Sequence, residues 1–328
     1  MLDVTYYFRE KRQFGYSIEG IFYLMRDCLR GKVRISEFHL DPARSRMQNI
    51  MTARTVSGSI NHITGDVYYL AIGFKGRNTI LTIHDLGHYH NLKSNRIKFF
   101  LYHFFWLYFP LRKARVITVV SEYTGKQLVE SFPFVQKKLR LVYNPVKPVF
   151  EFVPKQALNK PPVILQIGSG PHKNLVNLIK ACFALKIHIN IIASVDSEAS
   201  ELLNSGGISY TQLQNLSEEE LFEQYKQCDI LFFASFTEGF GMPIIEAQTV
   251  GRPVITSNFG AMEEVAGDSA LLVNPNSVTE IREAIIKLTS DHDLYRQLVE
   301  KGIENVKKYN RFKISADYLD IYKEVAAG

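Results

Sequence analysis

Two glutamates and a lysine stand where their side chains could handle a polar, phosphorylated ligand. Residues 235–257 read SFTEGFGMPIIEAQTVGRPVITS, with Glu238 and Glu246 separated by seven residues and Gly239-Phe240-Gly241 directly after the first. An apolar strand at 230–234 runs into this glycine turn, and Pro243 marks a helix start, because proline suits the first helical turn. Glycines let a ligand approach the backbone, and a helix N-terminus offers free N–H groups to anions or hydroxyls. Glu238 is therefore expected in the loop and Glu246 on the first turn of the helix. Two carboxylates so placed can accept hydrogen bonds from vicinal hydroxyls of a ribose and of a sugar. Alone, such a pair is more often two solvated charges beside an ordinary turn. The flanking EGFGMP and GRPVITS shift the balance to binding.

Cations are needed wherever phosphate binds. Residues 167–175, IGSGPHKNL, lie between a strand and a helix, so Lys173 falls at the loop–helix junction, after Gly168 and Ser169. In the first half, residues 81–86, LTIHDL, put His84 and Asp85 at the carboxyl end of a strand. A lone histidine there is more often structural. His84, His88 and His90 have a spacing that could suggest a metal site, but they fall in a loop and no metal is expected.

The elements that must position these residues alternate along both halves. Strands are expected at 4–7, 33–38, 67–72, 79–83, 116–120 and 139–142, with helices at 17–29 and 96–108. In the second half, strands at 163–167, 189–193, 230–234 and 253–257 alternate with helices at 174–185, 218–227 and 243–250. Near-continuous apolar strands alternating with helices predict parallel sheets covered on both faces. Prolines 145, 148, 154, 161 and 162 mark an extended linker between the halves. The expectation is thus an α/β protein of two doubly wound domains facing across a cleft, with ligand at the carboxyl ends of the strands. A length of 328 residues accommodates both.

The segment 235–257 resembles the motif of retaining glycosyltransferases of family 4 (glycosyl transferases group 1), which have the GT-B fold of two Rossmann-like domains. Residues 215–230, NLSEEELFEQYKQCDI, resemble the stretch before that motif, and residues 262–275, MEEVAGDSALLVNP, the stretch after it in the mannosyltransferase-like branch. The resemblance implies an N-terminal acceptor-binding domain at 1–146, a nucleotide-sugar donor-binding domain at 147–310, and a C-terminal helix, 311–328, packing back on the first. It implies that Glu238 contacts the donor sugar near the reacting centre and that Glu246 binds the ribose hydroxyls. The loop Gly239, Phe240, Gly241 and Met242 would support sugar and phosphate. Lys173, with Gly168 and Ser169, would hold the diphosphate, although the family usually has arginine where Ser169 stands. His84 matches a family histidine facing the donor sugar, so His84, Glu238 and Lys173 are the expected catalytic residues. Gly15-Tyr16-Ser17-Ile18-Glu19 resembles the family's loop near the diphosphate, with Ser17 replacing a second glycine. Asp291-His292-Asp293 spells the DxD of metal-dependent enzymes of another fold, but it precedes a helix and reads as a cap.

The implied activity is metal-independent, retaining transfer of a hexose, with mannose favoured, from a nucleotide diphosphate sugar. The acceptor would be a glycan or lipid-linked glycan in bacterial polysaccharide or lipopolysaccharide assembly; no cofactor is expected. A nucleotide-sugar epimerase or a phosphorylase would share the fold and is the alternative.

Charge adds a partner. Residues 1–150 carry 23 Lys/Arg against 10 Asp/Glu, and the remainder 16 against 23. So uneven a balance points the first half at something anionic: nucleic acid, a membrane surface or a phosphorylated substrate. No nucleic-acid-binding motif supports the first. Residues 96–115, RIKFFLYHFFWLYFPLRKAR, are too short and too interrupted to span a bilayer. Their apolar face is expected to be a core helix, with the flanking cations toward an anionic membrane. Lys11, Arg12, Arg44, Arg46, Lys75, Arg77, Lys93, Lys137, Lys138 and Arg140 add to this field. An N-terminus with Asp3, Arg9 and Glu10 lacks an apolar leader, and three scattered cysteines suit a reducing compartment. A cytoplasmic, peripherally membrane-associated protein is expected.

Overall fold

Runs such as TILTI and VILQI are apolar but for Thr79, Thr82 and Gln166, which suits a strand covered by helices on both sides. In the computed structural model, which describes residues 1–10, 17–92, 95–168 and 170–328, twelve such strands form two sheets. The chain divides into two units, Met1–Pro145 with Arg311–Gly328, and Val146–Asn310.

The first unit has a parallel sheet of β1 (Leu2–Phe8), β2 (Val33–His39), β3 (Ile60–Ile63), β4 (Thr79–Ile83), β5 (Val116–Val119) and β6 (Leu139–Leu141), ordered β2-β1-β3-β4-β5-β6. Val4 lies opposite Ile60, and Ile80 opposite Val116. The expected strand at 67–72 is instead a buried 3-10 turn, Tyr68–Gly73. The strand is β3, INHI, whose polar centre disguises it. Asn61 accepts a hydrogen bond from the Tyr7 hydroxyl at 2.8 Å, while His62 bonds to Tyr322 at 2.9 Å and Thr82 at 2.7 Å. Those partners satisfy polar groups that burial alone would penalise. Tyr322 belongs to the helix Arg311–Ala327, so this network fastens the end of the chain onto the sheet.

The second unit has a parallel sheet of β7 (Val163–Ile167), β8 (His188–Ile192), β9 (Ser209–Leu213), β10 (Ile230–Phe233), β11 (Val254–Ser257) and β12 (Leu271–Val273), ordered β12-β11-β10-β7-β8-β9. β9 is a largely exposed edge strand whose mixed sequence, SYTQL, gives no apolar pattern, and β12, LLV, is only three residues long. The order runs outward in both directions from the β7–β10 pair, where loops diverge at their carboxyl ends. Gln166 sits in that central strand and ties the following loop, donating to the carbonyls of Gly168 (3.1 Å) and Lys173 (3.0 Å). The helix expected at 174–185 is shorter, Leu175–Ala181, with Asn174 left-handed (φ 63°) ahead of it. Asp291 does cap its helix, accepting from the amides of Asp293 and Leu294.

Candidate functional site

The loops after β7 and β10 emerge side by side, because their strands pair in register from Ile164 and Ile230. Two bonds lock them together, and a third ties them to the segment after β12. Asn174 Nδ2 donates to the Ala234 carbonyl at 2.9 Å and to the Pro275 carbonyl at 2.8 Å, and the Phe236 amide donates to the His172 carbonyl at 2.8 Å. This framework brings two expected residues into contact: Lys173 Nζ lies 2.6 Å from Glu238 Oε1. The ammonium also lies 4.8 Å from the Phe233 ring centre, a further electrostatic anchor. Gly168 makes room for it. At φ +87° a side chain would be strained, and a Cβ would stand 3.0 Å from the Lys173 stem.

Gly241, at φ +105°, turns the β10 loop into the helix Met242–Val250. A Cβ here would press on Ile244 at 3.0 Å. Met242 opens the first turn, in which Pro243 has no N–H and the Ile244 amide donates to the Gly241 carbonyl at 3.0 Å. The Phe240 side chain is buried edge-on against Tyr309 at 5.5 Å, so it anchors the loop by packing. Gly239 and Phe240 leave their backbone on the loop beside Glu238.

Glu246 is not on the first turn but begins the second, and it is 6 % exposed, which removes the solvated-charge reading. Burial raises its pKa, while the nearby Lys147 charge and the Tyr225 hydrogen bond oppose that shift. The Tyr225 hydroxyl donates to Oε2 at 2.8 Å. Tyr225 and Lys147 were missed in the sequence. Tyr225 lies on the helix Glu218–Gln227 and Lys147 in the proline-rich linker, and neither position has a local pattern that announces it.

His84 lies in the first unit, just after β4. It donates Nε2–H to the Thr64 carbonyl at 2.7 Å, since a carbonyl can only accept. Burial lowers its pKa, so near neutral pH Nδ1 carries the lone pair. It lines a cleft of about 660 Å³ with Arg9, Arg46, Asp66, Asp85, His88 and Trp106, among others. Gly15 and Ser169 lie outside the described residues, as do Lys11, Arg12 and Lys93.

Residues 150–305 match the model of glycosyl transferases group 1, and residues 60–150 match that of glycosyltransferase family 4. The chain belongs to glycosyltransferase family 4. It is 26% identical over 243 residues to O-antigen chain mannosyltransferase B of Escherichia coli, covering 66% of this chain and 62% of that one. With O-antigen chain mannosyltransferase RfbU of Salmonella typhimurium it shares 27% over 219 residues, 64% and 60% of the two chains. The chain spans about three fifths of the length of these curated relatives. Its fold is that of GT-B enzymes. The crystal structure of Anabaena HepE in complex with UDP and glucose superposes with a TM-score of 0.78 at 15% identity, over 98% of this chain and 99% of that one. WaaG, a glycosyltransferase involved in lipopolysaccharide biosynthesis, superposes with a TM-score of 0.72 at 12% identity, over 97% and 99%.

Proposed function

We propose that this family 4 protein is a retaining, metal-independent glycosyltransferase. It moves a hexose, mannose in the first instance, from a nucleotide diphosphate sugar to a membrane-associated glycan acceptor. The product belongs to bacterial surface polysaccharide or lipopolysaccharide assembly, and the enzyme works at the cytoplasmic face of the membrane. The observation carrying this reading is the Lys173–Glu238 contact at the β7–β10 divide, beside the helix bearing the buried Glu246. The mannosyltransferase names of the relatives favour glycosyl transfer over epimerisation.

Glu246 accepts the ribose hydroxyls, Lys173 and the loop amides hold the diphosphate, and Glu238 binds the donor sugar. As the anomeric carbon–oxygen bond breaks, negative charge grows on the departing phosphate, where Lys173 stabilises it most. The acceptor hydroxyl attacks the same face of the sugar. Its oxygen bonds the anomeric carbon, and its proton passes to the departing phosphate oxygen. His84, neutral with Nδ1 as acceptor, orients a donor-sugar hydroxyl.

The test is product analysis after incubation with a panel of nucleotide sugars and a membrane extract containing lipid-linked glycans. The proposal expects a nucleoside diphosphate and a glycoside whose anomeric configuration, read by NMR, equals that of the donor. An inverted anomer, or an isomerised sugar released without acceptor, would overturn it.

A further inference from the structure

Residues 96–115 carry Arg96, Lys98, Arg112, Lys113 and Arg115 and no carboxylate. They fold as a continuous rod: an α-helical stretch, Arg96–Leu101, π-helical turns, Tyr102–Tyr108, and a last α-helical stretch, Phe109–Lys113. Leu107, Pro110 and Leu111 bury one side, but the expectation of a core helix accounts for only that side. The other stays in water, with Ile97 75 % exposed and Phe100, Leu101, Phe105 and Phe109 between 45 % and 57 %.

These side chains form one ridge. Ring centres are 4.6 Å apart for Phe100–Phe104, 6.0 Å for Phe104–Phe109 and 5.9 Å for Phe105–Phe109. The wider π turns place residues five apart above one another, which brings Phe104 onto Phe109. Beside the ridge runs a groove of about 420 Å³ lined by Ile72, Phe105, Phe109, Arg112 and Lys113. Its walls are apolar and two cations sit at its edge.

A contiguous exposed apolar ridge marks an interaction surface. Aromatic side chains flanked by cations, with no carboxylate among them, match the layering of a lipid surface: acyl chains below, phosphates above. Each Lys or Arg near an anionic leaflet adds electrostatic attraction. We propose that this face docks on an anionic lipid bilayer, with Phe100, Phe105 and Phe109 between the lipids and Arg112 and Lys113 at their phosphates. Lys98 and Leu101 of the same rod line the cleft holding His84. Docking therefore brings that cleft to headgroup level, where a lipid-linked acceptor presents its sugar; this last consequence alone rests on the proposed function.

Co-sedimentation with vesicles tests the proposal. The full chain should bind phosphatidylcholine vesicles containing phosphatidylglycerol, and should bind pure phosphatidylcholine far more weakly. The triple variant Phe100→Ser/Phe105→Ser/Phe109→Ser should lose at least ~10-fold in partitioning. Arg112→Gln/Lys113→Gln should lose the salt sensitivity of binding. Unchanged nucleotide binding and melting temperature in both variants show that fold and donor site survive. Wild-type protein left in the supernatant with anionic vesicles, or a triple variant that partitions like wild type, would overturn the proposal. So would a wild-type oligomer, seen by size exclusion, that the triple variant breaks, since the ridge would then be a protein interface. None of these outcomes touches the glycosyltransferase reading, which nucleotide binding tests separately.

Discussion

At the scale of single residues, the proposed donor site depends on what each charge is tied to. Glu246 ionises against burial, and the Tyr225 hydroxyl is the hydrogen bond that favours its charged form. Tyr225→Phe should therefore weaken nucleotide binding about 5-fold, roughly one hydrogen bond, with kcat nearly unchanged. An acid needs pH above its pKa to ionise, and the variant raises that pKa further. The acidic limb of a nucleotide-affinity profile should move to higher pH in Tyr225→Phe, which calorimetry at several pH values would show. Glu238→Ala should instead lower kcat mainly, because it removes the group proposed at the reacting sugar while the proposed Glu246 contact remains. Glu238, Glu246 and Lys173 can be picked out as candidates because each stands in a contiguous motif beside glycine and a helix start. Tyr225 cannot, since its bond to Glu246 joins two helices 21 residues apart.

Elements show the same division between local and long-range information. The strands at 79–83 and 163–167 announce themselves because, Thr79, Thr82 and Gln166 apart, they are apolar and covered on both faces. β3 hides, because Asn61 and His62 are satisfied by residues outside it, Tyr7, Thr82 and the distant Tyr322. His62 is fully buried, and burial pushes its pKa down to about 3. Unfolded, it protonates near 6.5, so between those values the unfolded chain binds the extra proton. Stability of the first unit should fall as pH drops from 6.5 toward 3. Urea midpoints across this range should fall less steeply in His62→Asn. In the second unit, buried Arg252 donates to the carbonyls of Val153, Lys226, Cys228, Val250 and Gly251. It thereby caps the ends of two helices and joins the linker to them. Arg252→Met, matching the bulk but not the donors, should cost about 3 kcal/mol, seen as a lower denaturant midpoint.

For the whole molecule, the uneven charge is a guide to surfaces and a poor guide to sites. The half richer in acids holds the proposed diphosphate site, because Lys173 is placed there by Asn174, Gln166 and Gly168 and does not depend on net charge. The basic half instead displays cations along the aromatic ridge, where the expectation of a core helix captured only the buried side. Among the described residues, no helix is long and apolar enough to cross a membrane. The central claim is that the second unit binds a nucleotide diphosphate sugar through Lys173, Glu238 and Glu246. Calorimetric titration of nucleoside diphosphates and their sugars into wild type and Glu246→Ala tests it most directly. The account predicts that one nucleotide binds wild type and loses at least ~10-fold in affinity for a folded Glu246→Ala. No binding by any nucleotide, or equal affinity in the variant, would contradict it.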